Sequence, residues 1–109
     1  MLVGVDDHLD PVASISAVTL VTSHMDKSVS FYQALGFHVL YGGPEAPFTS
    51  FRVGPGYLNL QLDPDGSAQE PLWGRVVFWV DDVDRQHRRV IDAGYEPATS
   101  PADAPWGER

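Results

Sequence analysis

Sliding the chain along itself by 58 residues brings Asp26 onto Asp84, Gly36 onto Gly94 and Phe37 onto Tyr95. The same shift sets Leu20 over Phe78 and Pro47-Phe48 over Pro105-Trp106. Several coincidences at one offset, in unbroken order, mark an internal duplication. A duplication constrains the fold strongly: a single copy cannot bury its own sheet face, so the two copies must pack together.

Each copy reads as strand, capped helix, then further strands. Residues 15–62 form the first. Ile15–Thr22 is rich in β-branched residues and predicts a strand. Ser23 followed by Asp26 matches a capping box. Val29, Tyr32 and Leu35, with Phe31, then recur at helical spacing until Gly36 supplies a stop. Phe37–Tyr41 and Phe48–Val53 predict two more strands, and Gly54-Pro55-Gly56 a tight turn into a fourth, Tyr57–Leu62. That last strand alternates strictly, with Leu58, Leu60 and Leu62 on one face and Asn59 and Gln61 on the other. Residues 63–74 read as a polar linker. Asp63-Pro64-Asp65-Gly66 resembles the start of a calcium loop, but Gly74 stands where the bidentate glutamate would be, so a turn is expected.

The second copy, 75–109, opens with a predicted strand, Arg75–Val80. Asp81 and Asp84 mark a helix start, Val83, His87, Val90 and Ile91 its apolar face, and Gly94 its stop. Tyr95–Ala98 begins another strand, and a proline-rich loop leads to Trp106. Because Arg109 matches Phe51, counterparts of Arg52–Leu62 are missing from this copy. The sheet is then expected to expose an apolar face and an unpaired edge. Three outcomes are open: another chain covers that edge, the domain is weakened, or the natural protein continues past Arg109. Residues 1–14, acidic and aperiodic, read as a mobile lead-in. The fold class is thus α+β, with two βαβββ modules of which the second is incomplete.

Composition excludes several functions. Acids outnumber lysines and arginines 15 to 7, giving a net charge of −8. That argues against nucleic acid, whose binders present a basic stripe. The one basic cluster, Arg85, Arg88 and Arg89, is read as balancing the acids of its own helix. No apolar run approaches the roughly 20 residues that span a bilayer, so no membrane partner is expected. The chain has no cysteine, which removes disulfides and thiol nucleophiles and, with no secretory leader at the start, suits a cytoplasmic protein.

The strand leading into Asp26-Lys27-Ser28-Val29-Ser30-Phe31-Tyr32, with Leu35-Gly36-Phe37, Val80-Asp81-Asp82-Val83 and Pro105-Trp106-Gly107-Glu108-Arg109, resembles the vicinal oxygen chelate superfamily. That group contains glyoxalase I, extradiol dioxygenases, fosfomycin-resistance enzymes and bleomycin-resistance proteins. The resemblance covers residues 15–109. It implies paired βαβββ units curled around a cleft and commonly completed in a dimer, so a homodimer is expected. It also implies, for metal-dependent members, ligands on the first strand of each unit and a late-strand carboxylate in each. Those first-strand positions hold Ala17 and Arg75, which the 58-residue shift superposes. Alanine has no donor atom, and arginine is a permanent cation. The fourth strand offers only Asn59 or Gln61. A catalytic metal needs about three protein ligands, so neither a metal nor another cofactor is expected. His8, His24, His38 and His87 are dispersed, without ligand spacing. No nucleophile elbow or phosphate loop is present, and no catalytic residue is assigned.

What remains is a cleft lining. Thr19 shares a face with Ala17; Trp79 shares one with Arg75; Asn59 and Gln61 join them, and Trp106 stands near the mouth. Thr19, Asn59, Gln61, Arg75, Trp79 and Trp106 are the candidate ligand-binding residues, an aromatic surface with a few directed polar groups. Packing alone accounts for the tryptophans equally well, and Arg75 is somewhat better suited to an internal acid than to a ligand carboxylate. The expected partner is a small cationic or aromatic molecule, sequestered as bleomycin-resistance proteins sequester theirs. A glyoxalase- or dioxygenase-type enzyme with its carboxylate beyond Arg109, and an inactive domain stabilised by oligomerisation, are the alternatives.

Overall fold

The computed structural model describes residues 12, 14–65, 76–107 and 109. Six elements follow one another: β1 (Ala17–Thr22), α1 (Met25–Ala34), β2 (His38–Tyr41), β3 (Phe48–Val53), β4 (Gly56–Leu62) and α2 (Val83–Asp92). The strands make one mixed sheet in the order β1-β4-β3-β2. β4 runs parallel to β1 and antiparallel to β3, which is antiparallel to β2. The first unit is therefore a complete βαβββ module in an α+β fold.

Period-two alternation sorts each strand into two faces. Cross-strand register lines up Val18, Leu58, Phe51 and Val39 in one row, and Leu20, Leu60 and Thr49 in the next. α1 lays Met25 and Val29 on these rows, and Val29, Phe51, Leu58 and Leu60 are fully buried. Burying a side chain of this size is worth roughly 1.5–3 kcal/mol. Aromatic rings extend the core outward: Tyr32 and Phe51 both pack on Phe37, which meets Phe78 edge-on at 5.1 Å. One polar residue interrupts the core. Thr49 Oγ1 accepts from Gly43 N and donates to Gly43 O, each at 3.0 Å, fixing the loop between β2 and β3.

The duplication is visible in the helices. α1 and α2 have the same length and start 58 residues apart. Their ends repeat bond for bond: Leu35 N to Phe31 O matches Ala93 N to Arg89 O, and Phe37 N to Tyr32 O matches Tyr95 N to Val90 O. Gly36 and Gly94 both terminate with positive φ, as the sequence predicts. The starts differ. Asp82, not Asp81, caps α2 and accepts from Arg85 N at 3.0 Å. At α1 the expected capping box does not form: His24 holds the cap position without a side-chain bond. The neighbouring Thr22 hydroxyl accepts the His24 N–H at 3.1 Å and pairs with Ser28 Oγ at 2.6 Å, anchoring the turn in Ser23's place.

The second unit departs from its expected strands. Neither 76–80 nor 95–98 pairs as a strand. In the first unit β1 is held by β4, whereas among the described residues nothing forms the equivalent ladder with 76–80. Alternation survives without it: Phe78 turns in toward Phe37, while Val77 and Trp79 are 81% and 80% exposed. α2 buries no residue fully. It is tied to the first unit by Gln86 Nε2 donating to Leu35 O at 2.7 Å and by Tyr95 packing edge-on against Phe31. Among the described residues no helix is long and apolar enough to cross a membrane.

Candidate functional site

The sheet face away from α1 carries three cross-strand rows. Ala17, Tyr57, Arg52 and His38 form the first; Thr19, Asn59, Ser50 and Tyr41 the second; Val21, Gln61 and Phe48 the third. Asn59 Nδ2 donates to Thr19 Oγ1 at 3.3 Å across the parallel pair. At one end Arg52 donates through Nε to Gly54 O at 3.0 Å, and its guanidinium stands 5.3 Å from the Tyr57 ring centroid. This face presents hydroxyls, amides and aromatic rings, with one arginine at its corner, and it can hydrogen-bond and stack a ligand.

Of the residues expected to bind, the fold brings Thr19, Asn59 and Gln61 onto this one face. Trp79 sits elsewhere: it lines an open groove of about 860 Å³ between the β3–β4 turn, the end of α1 and α2. Trp106 lies in a turn, 75% exposed, and does not line that groove. Arg75 is outside the described residues. Sequence reasoning missed Tyr41, Ser50 and Arg52 on the same face. Parity in β3 carried the signal for the last two, since both alternate with Phe51; Tyr41 reaches Ser50 only through a register shift in β2 that alternation does not foresee.

The donor set tests the metal that the family resemblance implies. Where β1 and β4 run side by side, the open face supplies Ala17, Thr19, Asn59 and Gln61, with neither carboxylate nor imidazole. Among the described residues no three His, Cys, Asp or Glu side chains gather closely enough to hold an ion. These residues do not fit a catalytic divalent cation. Among the described residues two groups titrate away from their ordinary values. Burial raises the Tyr32 phenol, and hydrogen bonds to Asp84 and then Asp103 raise the Arg109 guanidinium.

A complete βαβββ unit, followed by a helix in the same register, defines a paired-module α+β protein. The family model of the Glyoxalase/Bleomycin resistance protein/Dioxygenase superfamily matches residues 14–109, and the chain belongs to that superfamily. Solved structures agree in fold. A bleomycin resistance determinant encoded on the transposon Tn5 is 20% identical with a TM-score of 0.66, covering 87% of this chain and 82% of that one. A lactoylglutathione lyase from Agrobacterium tumefaciens is 22% identical at 0.64, covering 89% and 81%. A bleomycin-binding protein complexed with bleomycin is 18% identical at 0.62, covering 88% and 83%. At these identities the likeness speaks for the fold alone. A search of curated proteins gave no match.

Proposed function

We propose that this chain is a metal-independent small-molecule-binding protein that sequesters a cationic or aromatic ligand, acting in the cytoplasm as a homodimer. The observation that carries the reading is the donor set of the open sheet face. Thr19, Asn59 and Gln61 offer neutral hydrogen-bonding groups beside Tyr57 and Tyr41, and Ala17, Asn59 and Gln61 stand at positions where a metal-dependent member would need ligands. Such groups orient a ligand without activating water or polarising a carbonyl. The net charge of −8 favours the approach of a cation. Among relatives in fold, the bleomycin-binding protein is a precedent for this mode. Support for the dimer comes from β1, an edge strand with Val21 exposed to 65%, which a second copy would cover.

Titration with bleomycin-type antibiotics, read by calorimetry, tests the proposal. Saturable binding that Asn59→Ala and Gln61→Ala weaken, in protein freed of metal by chelation, is the expected result. No response at high micromolar ligand overturns the binding reading. Stoichiometric zinc, nickel, manganese or iron in purified protein overturns its metal independence.

A further inference from the structure

We propose that the groove between the two units is a second binding site, selective for a carboxylate carried on an apolar or aromatic body. Among the described residues its charged lining is Arg52, Arg89 and Arg109, with no acidic side chain. That is a local inversion, because acids outnumber lysines and arginines 15 to 7 in the chain. Arg109 is already neutralised by Asp84 and Asp103, each at 3.0 Å. Arg52 and Arg89 are not: among the described residues neither has a carboxylate partner within 4.0 Å. Two guanidinium groups with no carboxylate partner among the described residues therefore border one depression.

Their placement is specific. Arg89 Nη1 donates to Leu35 O at 3.3 Å and to Gln86 Oε1 at 3.2 Å, while Nε and Nη2 keep donors to spare. The guanidinium lies across Gly36, where an added Cβ would come within 2.5 Å of Nη1. The duplication shows what this position holds in the other unit. Phe31 is the counterpart of Arg89 and packs against Tyr95, and Phe37 is the counterpart of Tyr95. Where Phe31 closes an aromatic pair across the units, its counterpart Arg89 places a cation in the groove that Phe37 also lines. Arg52 is likewise oriented, by Gly54 O and the Tyr57 ring, rather than by an acid.

The rest of the lining fixes the ligand's other end. Phe37, Phe78, Trp79, Val83 and Val90 supply apolar and aromatic wall. A planar guanidinium matches a carboxylate in two parallel hydrogen bonds. The apolar wall selects against a bare phosphate, which has no surface to bury there. An aromatic or branched aliphatic acid satisfies both ends.

The probes are phenylacetate, phenylacetamide and phenethylamine, added to the full chain and followed by calorimetry and amide chemical-shift mapping. Phenylacetate is expected to shift Gly36, Gly54 and Trp79, and to bind roughly tenfold tighter than the amide or the amine. Arg52→Gln and Arg89→Gln are each expected to remove most of that preference, and added salt to weaken it. Equal binding of all three probes, shifts gathered on Thr19, Asn59 and Gln61, or unchanged preference in both variants overturns the proposal. Should Arg89→Gln lower the melting point, Arg52→Gln and the salt dependence decide alone: neither removes a contact to α1 or α2, and loss of preference in both supports the site while retention refutes it.

Discussion

Thr49→Val replaces a buried hydroxyl by a methyl of nearly the same shape, in a strand where valine is intrinsically favoured. The structure nevertheless predicts a large loss. Gly43 N–H is buried and donates only to Thr49 Oγ1, so the valine orphans it, at about 1–3 kcal/mol. Gly43 O loses one bond but still accepts from Ala46 N at 3.1 Å, so this half adds roughly 0.5–1 kcal/mol. The sum is about 1.5–4 kcal/mol, a fall in melting temperature of roughly 6–30 °C for a domain of this size. Thr49→Ser is the control. It keeps both hydrogen bonds and removes one buried methyl, for about 1 kcal/mol. Urea unfolding followed by circular dichroism ranks the three proteins, with threonine above serine and serine above valine. A valine variant as stable as the serine variant refutes the claim that this hydroxyl holds the β2–β3 loop.

Two further outcomes follow from named groups. Asp82→Ala removes the α2 cap and should cost about 1 kcal/mol, concentrated in faster amide exchange over the first turn of α2 while α1 is unaffected. Desolvation raises the Tyr32 phenol above its ordinary 10.0, so its folded value exceeds the unfolded one. The associated stability is complete below pH 10 and declines as the pH climbs toward the folded value, because the unfolded chain ionises first. Tyr32→Phe should flatten that alkaline decline in a pH series of unfolding midpoints.

Local order was legible wherever short-range signals decide it. Gly36 and Gly94 stop their helices because few other residues accept positive φ, and that preference is written at a single position. The leucines of β4 declared their face by parity alone. Ser23 misled because three hydroxyls, Thr22, Ser23 and Ser28, compete for one helix start, and spacing does not rank them. Arg75–Val80 has the composition of β1, yet a strand is a property of a pair, and composition says nothing of whether the pair exists. Arg89 was read with Arg85 and Arg88 as balancing helix acids. Arg85 does approach Asp82 at 3.9 Å, but Arg89 reaches over to Leu35 O, 54 positions away, beyond the range of a helical pattern. The candidate face was half visible: residue parity gave Thr19, Asn59 and Gln61 and carried the signal for Ser50 and Arg52, while Tyr41 depends on a register shift in β2.

The sheet order carries a consequence for how the first unit comes into being. β4 is the last strand of the unit to be synthesised, yet it lies between β1 and β3 and bonds to both. Until it emerges from the ribosome, β1 has no neighbour among the described strands, and of their pairings the β2–β3 hairpin alone can form. Ala17 must then find Tyr57, a contact spanning most of the unit, and long-range closures of this kind slow folding. The nascent chain therefore spends its early life with one strand unclaimed, and the arrival of β4 is the event that converts a hairpin and a helix into a folded module.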